Sequence, residues 1–99
     1  MKLLDKEGQE VDKIDFGVVE VGSQKTVEFS LLNNEGTYVE GITITLEDRL
    51  EKSEVAISEY QQNLSDKGIS HFNFTWSPTL QVKRGLKIGF IVKYKRIWG

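Results

Sequence analysis

An all-β fold, two antiparallel sheets packed face to face, is what this sequence predicts, and three observations carry it. Apolar and polar residues alternate with a period of two over most of the chain, which puts successive side chains on opposite faces of a pleated strand. Turn-forming clusters recur roughly every ten residues, which divides the chain into about six or seven short strands. The segment with the best claim to be helical, Leu50–Gln62, has poor helical periodicity and holds Val55-Ala56-Ile57, so at most one short turn is expected there.

Taken in order, the opening residues are acidic: Asp5, Glu7, Glu10, Asp12 and Asp15 read as a solvated strand. In Lys25–Leu32, Val27, Phe29 and Leu31 alternate with Thr26, Glu28 and Ser30, giving one apolar face and one wet face. Asn33-Asn34-Glu35-Gly36 then forms a turn, because Asn and Gly tolerate positive φ. Ile42, Ile44 and Leu46 alternate with Thr43, Thr45 and Glu47 in a second strand. Val55 and Ile57 start a shorter one after the charged loop Glu47–Glu54. Beyond the polar loop Glu59–Lys67, with its Ser65-Asp66-Lys67-Gly68 turn, Phe72, Phe74 and Trp76 point inward and His71, Asn73 and Thr75 outward. Pro78 closes that strand, since it cannot donate to a ladder. The longest alternation is the last. Leu86, Ile88, Phe90, Val92 and Tyr94 are assigned inward, and Lys87, Gly89, Ile91, Lys93 and Lys95 outward.

Ninety-nine residues suffice for one domain, residues 1–99, with 38% hydrophobic and 28% charged residues supporting a folded chain. Without cysteine there is no disulfide framework, thiolate metal site or cysteine nucleophile. No apolar run approaches the ~20 residues of a membrane helix, and no signal-like stretch opens the chain, so a cytoplasmic protein that does not enter the membrane is expected.

Charge is unevenly placed. Residues 1–50 hold five Lys/Arg against eleven Asp/Glu and residues 51–99 hold eight against four, giving the overall −2. Lys83, Arg84, Lys87, Lys93, Lys95 and Arg96 have no acid beside them within residues 83–99. The net acidity argues against nucleic acid as a partner. Either the acidic opening offsets the basic end in the fold, or a basic face is held for an acidic partner.

The run Asp15-Phe16-Gly17-Val18-Val19-Glu20-Val21-Gly22-Ser23, followed by Lys25–Asn33, resembles the opening of immunoglobulin-like domains of the Hydin-type (ASH) and major sperm protein group. Phe72-Asn73-Phe74-Thr75-Trp76-Ser77-Pro78, with Gly85 and the Leu86–Val92 strand, is similar to the second half of such a domain. Together these cover most of residues 15–92. The resemblance implies an immunoglobulin-like antiparallel β-sandwich of about seven strands, working as a non-catalytic scaffold or interaction module. An antibody-type domain is excluded, because that needs a Cys pair around a core Trp. A small domain of this kind is also similar to the accessory or decoration proteins of tailed-phage particles.

Enzymatic and metal chemistry find little support. Gly17 to Thr26 superficially matches a phosphate loop, but Ser23-Gln24 separate the second Gly from Lys25 and a strand follows where a helix should start. His71 is the sole histidine, which rules out a two-histidine metal site in one chain, and its place on the polar face of a strand assigns it a solvated role. The acidic opening lacks the ligand spacing of a calcium loop. Asn63-Leu64-Ser65 and Asn73-Phe74-Thr75 match the glycosylation pattern by coincidence in a chain expected to stay in the cytoplasm.

Outward apolar residues carry the functional expectation. Ile91, Ile97, Trp98 and Tyr38 mark a contact patch, unless Ile97 and Trp98 tuck under the sandwich. With Lys87, Lys93 and Lys95 they form the expected protein-binding set: Lys87, Ile91, Lys93, Lys95, Ile97 and Trp98. The expected function is a non-enzymatic structural or binding module without cofactor or metal. It is a small virion (capsid decoration or auxiliary) protein docking on a capsid or other assembly protein. A homo-oligomer is compatible with this, and the chain would be cytoplasmic when made and then join the virion. The alternative is a cytoplasmic adaptor that captures a short peptide along a sheet edge.

Overall fold

A computed structural model describes residues 1–47, 54–79 and 83–98. Seven strands follow in order: β1 (Lys2–Asp5), β2 (Lys13–Glu20), β3 (Lys25–Leu32), β4 (Tyr38–Leu46), β5 (Val55–Ile57), β6 (Ile69–Trp76) and β7 (Lys83–Ile97). They form two antiparallel sheets, β1-β3-β6-β5 and β2-β7-β4, an all-β sandwich as expected. Among the described residues there is no helix; Val55–Ile57 is extended, and Leu50–Ser53 of the expected turn lie outside them.

β7 has fifteen residues. At ~3.3 Å per residue it spans ~50 Å, which accounts for the longest dimension of 52 Å. Its first half pairs with β2, Lys13↔Gly89 to Glu20↔Lys83, and its second half with β4, Leu46↔Phe90 to Tyr38↔Ile97. The acidic and basic ends of the sequence are therefore side by side along part of their length.

The core lies between the sheets. Phe29, Leu31, Phe72, Phe74 and Trp76 from one sheet meet Ile14, Phe16, Ile42, Ile44, Leu86 and Ile88 from the other. Trp76 is fully buried and sits 5.7 Å from Phe16 between ring centres. Phe74 stands edge-on to both Phe29, at 5.8 Å, and Phe72, at 5.6 Å, a favoured aromatic arrangement. Val55 and Ile57, as the apolar positions of their short strand, are expected to face inward, and Ile57 departs: it is exposed. It pairs with Phe74 at the end of a three-residue edge strand, beyond the reach of the facing sheet. Val27, Val55, Phe90, Val92 and Tyr94 are half-buried at the core's margin.

Two bulges set which residues reach that core. In β2 the register shifts between Asp15 and Gly17, where Gly17 adopts φ 68° and its N–H is accepted by Asp15 Oδ1 at 2.8 Å. In β4 it shifts between Glu40 and Thr43, around Gly41 at φ 64°. Each adds one residue to its strand, so that Phe16 and Val19, and likewise Val39 and Ile42, both point inward at a spacing of three. The positive φ at each is open to glycine without steric cost.

Residues 59–67 are not simply an exposed loop. Leu64 is buried and bridges to Val39, and Ile42 N–H is accepted by Gln62 O at 2.9 Å, so the segment covers the outer edge of β4.

Candidate functional site: the outer face of the β2-β7-β4 sheet

Alternation along β7 places Lys87, Ile91, Lys93, Lys95 and Ile97 on one face, opposite the face that carries Leu86 and Ile88 into the core. All are exposed except Ile97, which is half-buried. Trp98 follows directly and is 68% exposed, so it does not tuck under the sandwich. The register adds Tyr38, cross-strand from Ile97 and 42% exposed, while Ile91, also 42% exposed, lies at mid-strand. Lys87, Ile91, Lys93, Lys95 and Ile97 therefore share one surface with Tyr38 at its end, and Trp98, the residue after the last strand position, stands exposed just beyond it.

The electrostatics of that surface differ from a plain basic face. Lys87 stands opposite Asp15 and Lys95 opposite Glu40. Glu47 lies over Gly89, where an added Cβ would run into its carboxylate. Directly opposed charges of opposite sign attract across a ladder. Lys93 is different, since its β4 neighbour is the neutral Thr43. The positive charge left over is thus local, at Lys93 between Ile91 and the Tyr38–Ile97–Trp98 end. Sequence reading could not locate it, because it depends on which residues the register opposes.

The same end of the sandwich holds a polar clasp on its inner side. Glu35 accepts from the N-terminal ammonium of Met1 and from the Tyr94 hydroxyl at 2.8 Å, with the Arg96 guanidinium 3.8 Å away. The ammonium, the Tyr94 hydroxyl and Arg96 hold the Glu35 carboxyl below the usual carboxylate range against the opposing effect of burial. The hydrogen bond to Glu35, with partial burial and the Glu35 charge, pushes Tyr94 up. Beneath it, buried Asn33 ties the β3–β4 and β5–β6 connections together. Its Nδ2 donates to the carbonyls of Thr37 (2.8 Å), Leu64 and Ser65 (3.0 Å each), and its Oδ1 accepts from Glu35 N–H at 3.0 Å. The clasp fixes the base from which Tyr38 and Ile97 emerge.

His71 is exposed, as expected, and meets Ser30 Oγ through Nδ1 at 2.7 Å across the β3–β6 pair. The two line a cleft on the other sheet's outer face with Lys6, Glu28, Ser58 and Asn73. Among the described residues no group of three or more His, Cys, Asp or Glu is placed to hold a metal ion, and no helix is long and apolar enough to cross a membrane.

Comparison with protein-family models, curated proteins and solved structures found no match.

Proposed function

We propose that this domain is a non-enzymatic binding module that docks on another protein through the outer face of β7, with Trp98 as its apolar anchor. The exposure of Trp98 next to Ile97 and Tyr38 is the observation that carries this reading. A large aromatic left in water contributes little to folding, whereas buried at an interface it gives much of the binding energy. Lys93 supplies a positive rim, and the Lys87–Asp15 and Lys95–Glu40 pairs add polarity without strong net charge. Such a face fits an apolar patch bordered by acidic groups. The immunoglobulin-like resemblance supports a scaffold role, and its finer form is a small auxiliary or decoration subunit on a virus particle.

Lysine reactivity tests it. In the assembled state, Lys87, Lys93 and Lys95 should lose acetylation relative to the free protein, while Lys2 and Lys6, which lie away from this face, should not. Equal labelling of all five in both states would remove this face as the interface.

A further inference from the structure

Among the described residues each half of the longest strand pairs on one side only, and for Phe90–Arg96 that side is β4. Glu47 N–H is accepted by Gly89 O at 3.1 Å, and the β4–β7 register runs on as Leu46↔Phe90 and Ile44↔Val92 to Tyr38↔Ile97. In an antiparallel ladder, residues bonded to the neighbour alternate with residues whose N–H and C=O point away. Gly89, Ile91, Lys93, Lys95 and Ile97 therefore bond to β4, and Phe90, Val92, Tyr94 and Arg96 aim their backbone groups at the opposite edge. β4 shows the same alternation: Ile42 N–H goes to Gln62 O and Ile44 N–H to the Tyr60 hydroxyl at 3.1 Å, both away from β7.

On that opposite edge β2 pairs no further along β7 than Lys13↔Gly89, and just before it Val11 turns off to bond Leu3 of β1. Among the described residues, no backbone hydrogen bond reaches Phe90–Arg96 from this side. Two other edges are covered: residues 9–11 flank β1 and residues 62–64 flank β4. An open edge is a template for another strand.

We propose that the Phe90–Arg96 edge accepts an extended segment of another protein as an added strand in line with β2, apolar side chains turned between the sheets and acidic ones outward. β2 shows what this line selects. Ile14 and Phe16 enter the core, and Asp15 between them faces outward opposite Lys87. Continued past Lys13, inward positions would meet Phe90, Val92 and Tyr94, each half-buried, and outward positions would meet Ile91, Lys93 and Lys95. An acidic residue is the complement at Lys93, whose β4 neighbour Thr43 is neutral, whereas Lys95 already faces Glu40. A second copy is disfavoured: antiparallel pairing centred on this edge sets Lys93 against Lys93, or one step along against Lys95, and like charges directly opposed repel. The site differs from the docking face, because it is made by backbone groups of the alternate residues.

The probe is an end-capped synthetic peptide of eight residues alternating isoleucine and glutamate, with an isoleucine–lysine peptide as control, and the readout is amide hydrogen exchange by NMR. In the free protein, Val92 and Tyr94 amides should exchange at least about tenfold faster than those of Ile91 and Lys93. The glutamate peptide should slow the Phe90, Val92, Tyr94 and Arg96 amides, and the lysine peptide should not. Val92→Pro removes an N–H that points away from β4, so it should weaken the peptide about fivefold or more. The Lys93→Glu/Lys95→Glu double variant, altered only on exposed side chains, should reverse the preference between peptides. Slow exchange of Val92 and Tyr94 in the free monomer, protection by a concentration-dependent dimer, or equal effects of both peptides would overturn the proposal.

Discussion

Replacing Trp76 with Ala tests the core most severely. The indole is completely buried, packs tilted against Phe16 at 5.7 Å between ring centres and donates through Nε1 to the buried Glu54 carboxylate at 3.4 Å. Truncation removes about 3–5 kcal/mol of burial and packing, and the loss of one donor to a buried carboxylate adds about 1 kcal/mol. Glu54 keeps Thr79, whose N–H and hydroxyl both reach Oε2 at 2.7 Å, so the carboxylate is not stranded. Against a total of about 5–15 kcal/mol for a domain, this is a large fraction. It corresponds to a fall of roughly 15–30 °C in Tm. Urea melts followed by far-ultraviolet circular dichroism would measure it, with Trp76→Phe, which keeps the ring packing, losing only about 1–2 kcal/mol. A cost under about 1 kcal/mol for Trp76→Ala would refute the placement of β6 between the sheets.

Other outcomes follow from separate features. Asn33→Ala should cost about 1–2 kcal/mol in the same urea melts, because it removes the donor to Thr37 O and the acceptor of Glu35 N–H, while Leu64 O and Ser65 O keep the Val39 and Gly68 N–H groups. Gly17→Ala should destabilise by about 1 kcal/mol, since φ 68° disfavours a side chain, whereas Gly85→Ala, which meets only an ordinary contact 3.6 Å away at Val18, should change little. Glu35 has a carboxyl pKa lowered by folding, so the stability it confers is present above the unfolded carboxylate pKa and is lost as pH falls through the folded value. Urea melts from neutral pH down to about pH 3 should therefore show a steeper loss for wild type than for Glu35→Gln. His71→Ala should leave stability within about 0.5 kcal/mol, as its hydrogen bond to Ser30 is exposed.

Alternation made most strands legible, β7 above all, where each of the five inward assignments is at least half-buried. What the sequence concealed is long-range. Phe16-Gly17-Val18-Val19 gives no local sign of which valine turns inward; the bulge at Gly17 decides, burying Val19 and leaving Val18 exposed. Asn33 belongs to a recognisable turn, yet its burial depends on Leu64 and Ser65, about thirty residues away in sequence. Lys87 and Lys95 read as free cations until the register sets Asp15 and Glu40 against them. The open edge of β7 was equally hidden, because it arises from β2 and β4 covering different halves of one strand on opposite sides.

We propose that this domain meets its partner through the outer face of β7, with Trp98 at its end. Co-sedimentation with the assembly that carries it, comparing wild type, Trp98→Ala and the Lys87/Lys93/Lys95→Glu triple variant, tests this most directly. Trp98 is exposed, so Trp98→Ala should keep a wild-type urea midpoint, whereas the triple variant, which sets Glu against Asp15 and Glu40, should stay folded with stability lowered by about 1–2 kcal/mol. Trp98→Ala should lose occupancy through faster dissociation, at a cost of about 2 kcal/mol or more, and the triple variant should lose it through slower association that salt no longer modulates. Unchanged occupancy for both folded variants would exclude this face as the interface.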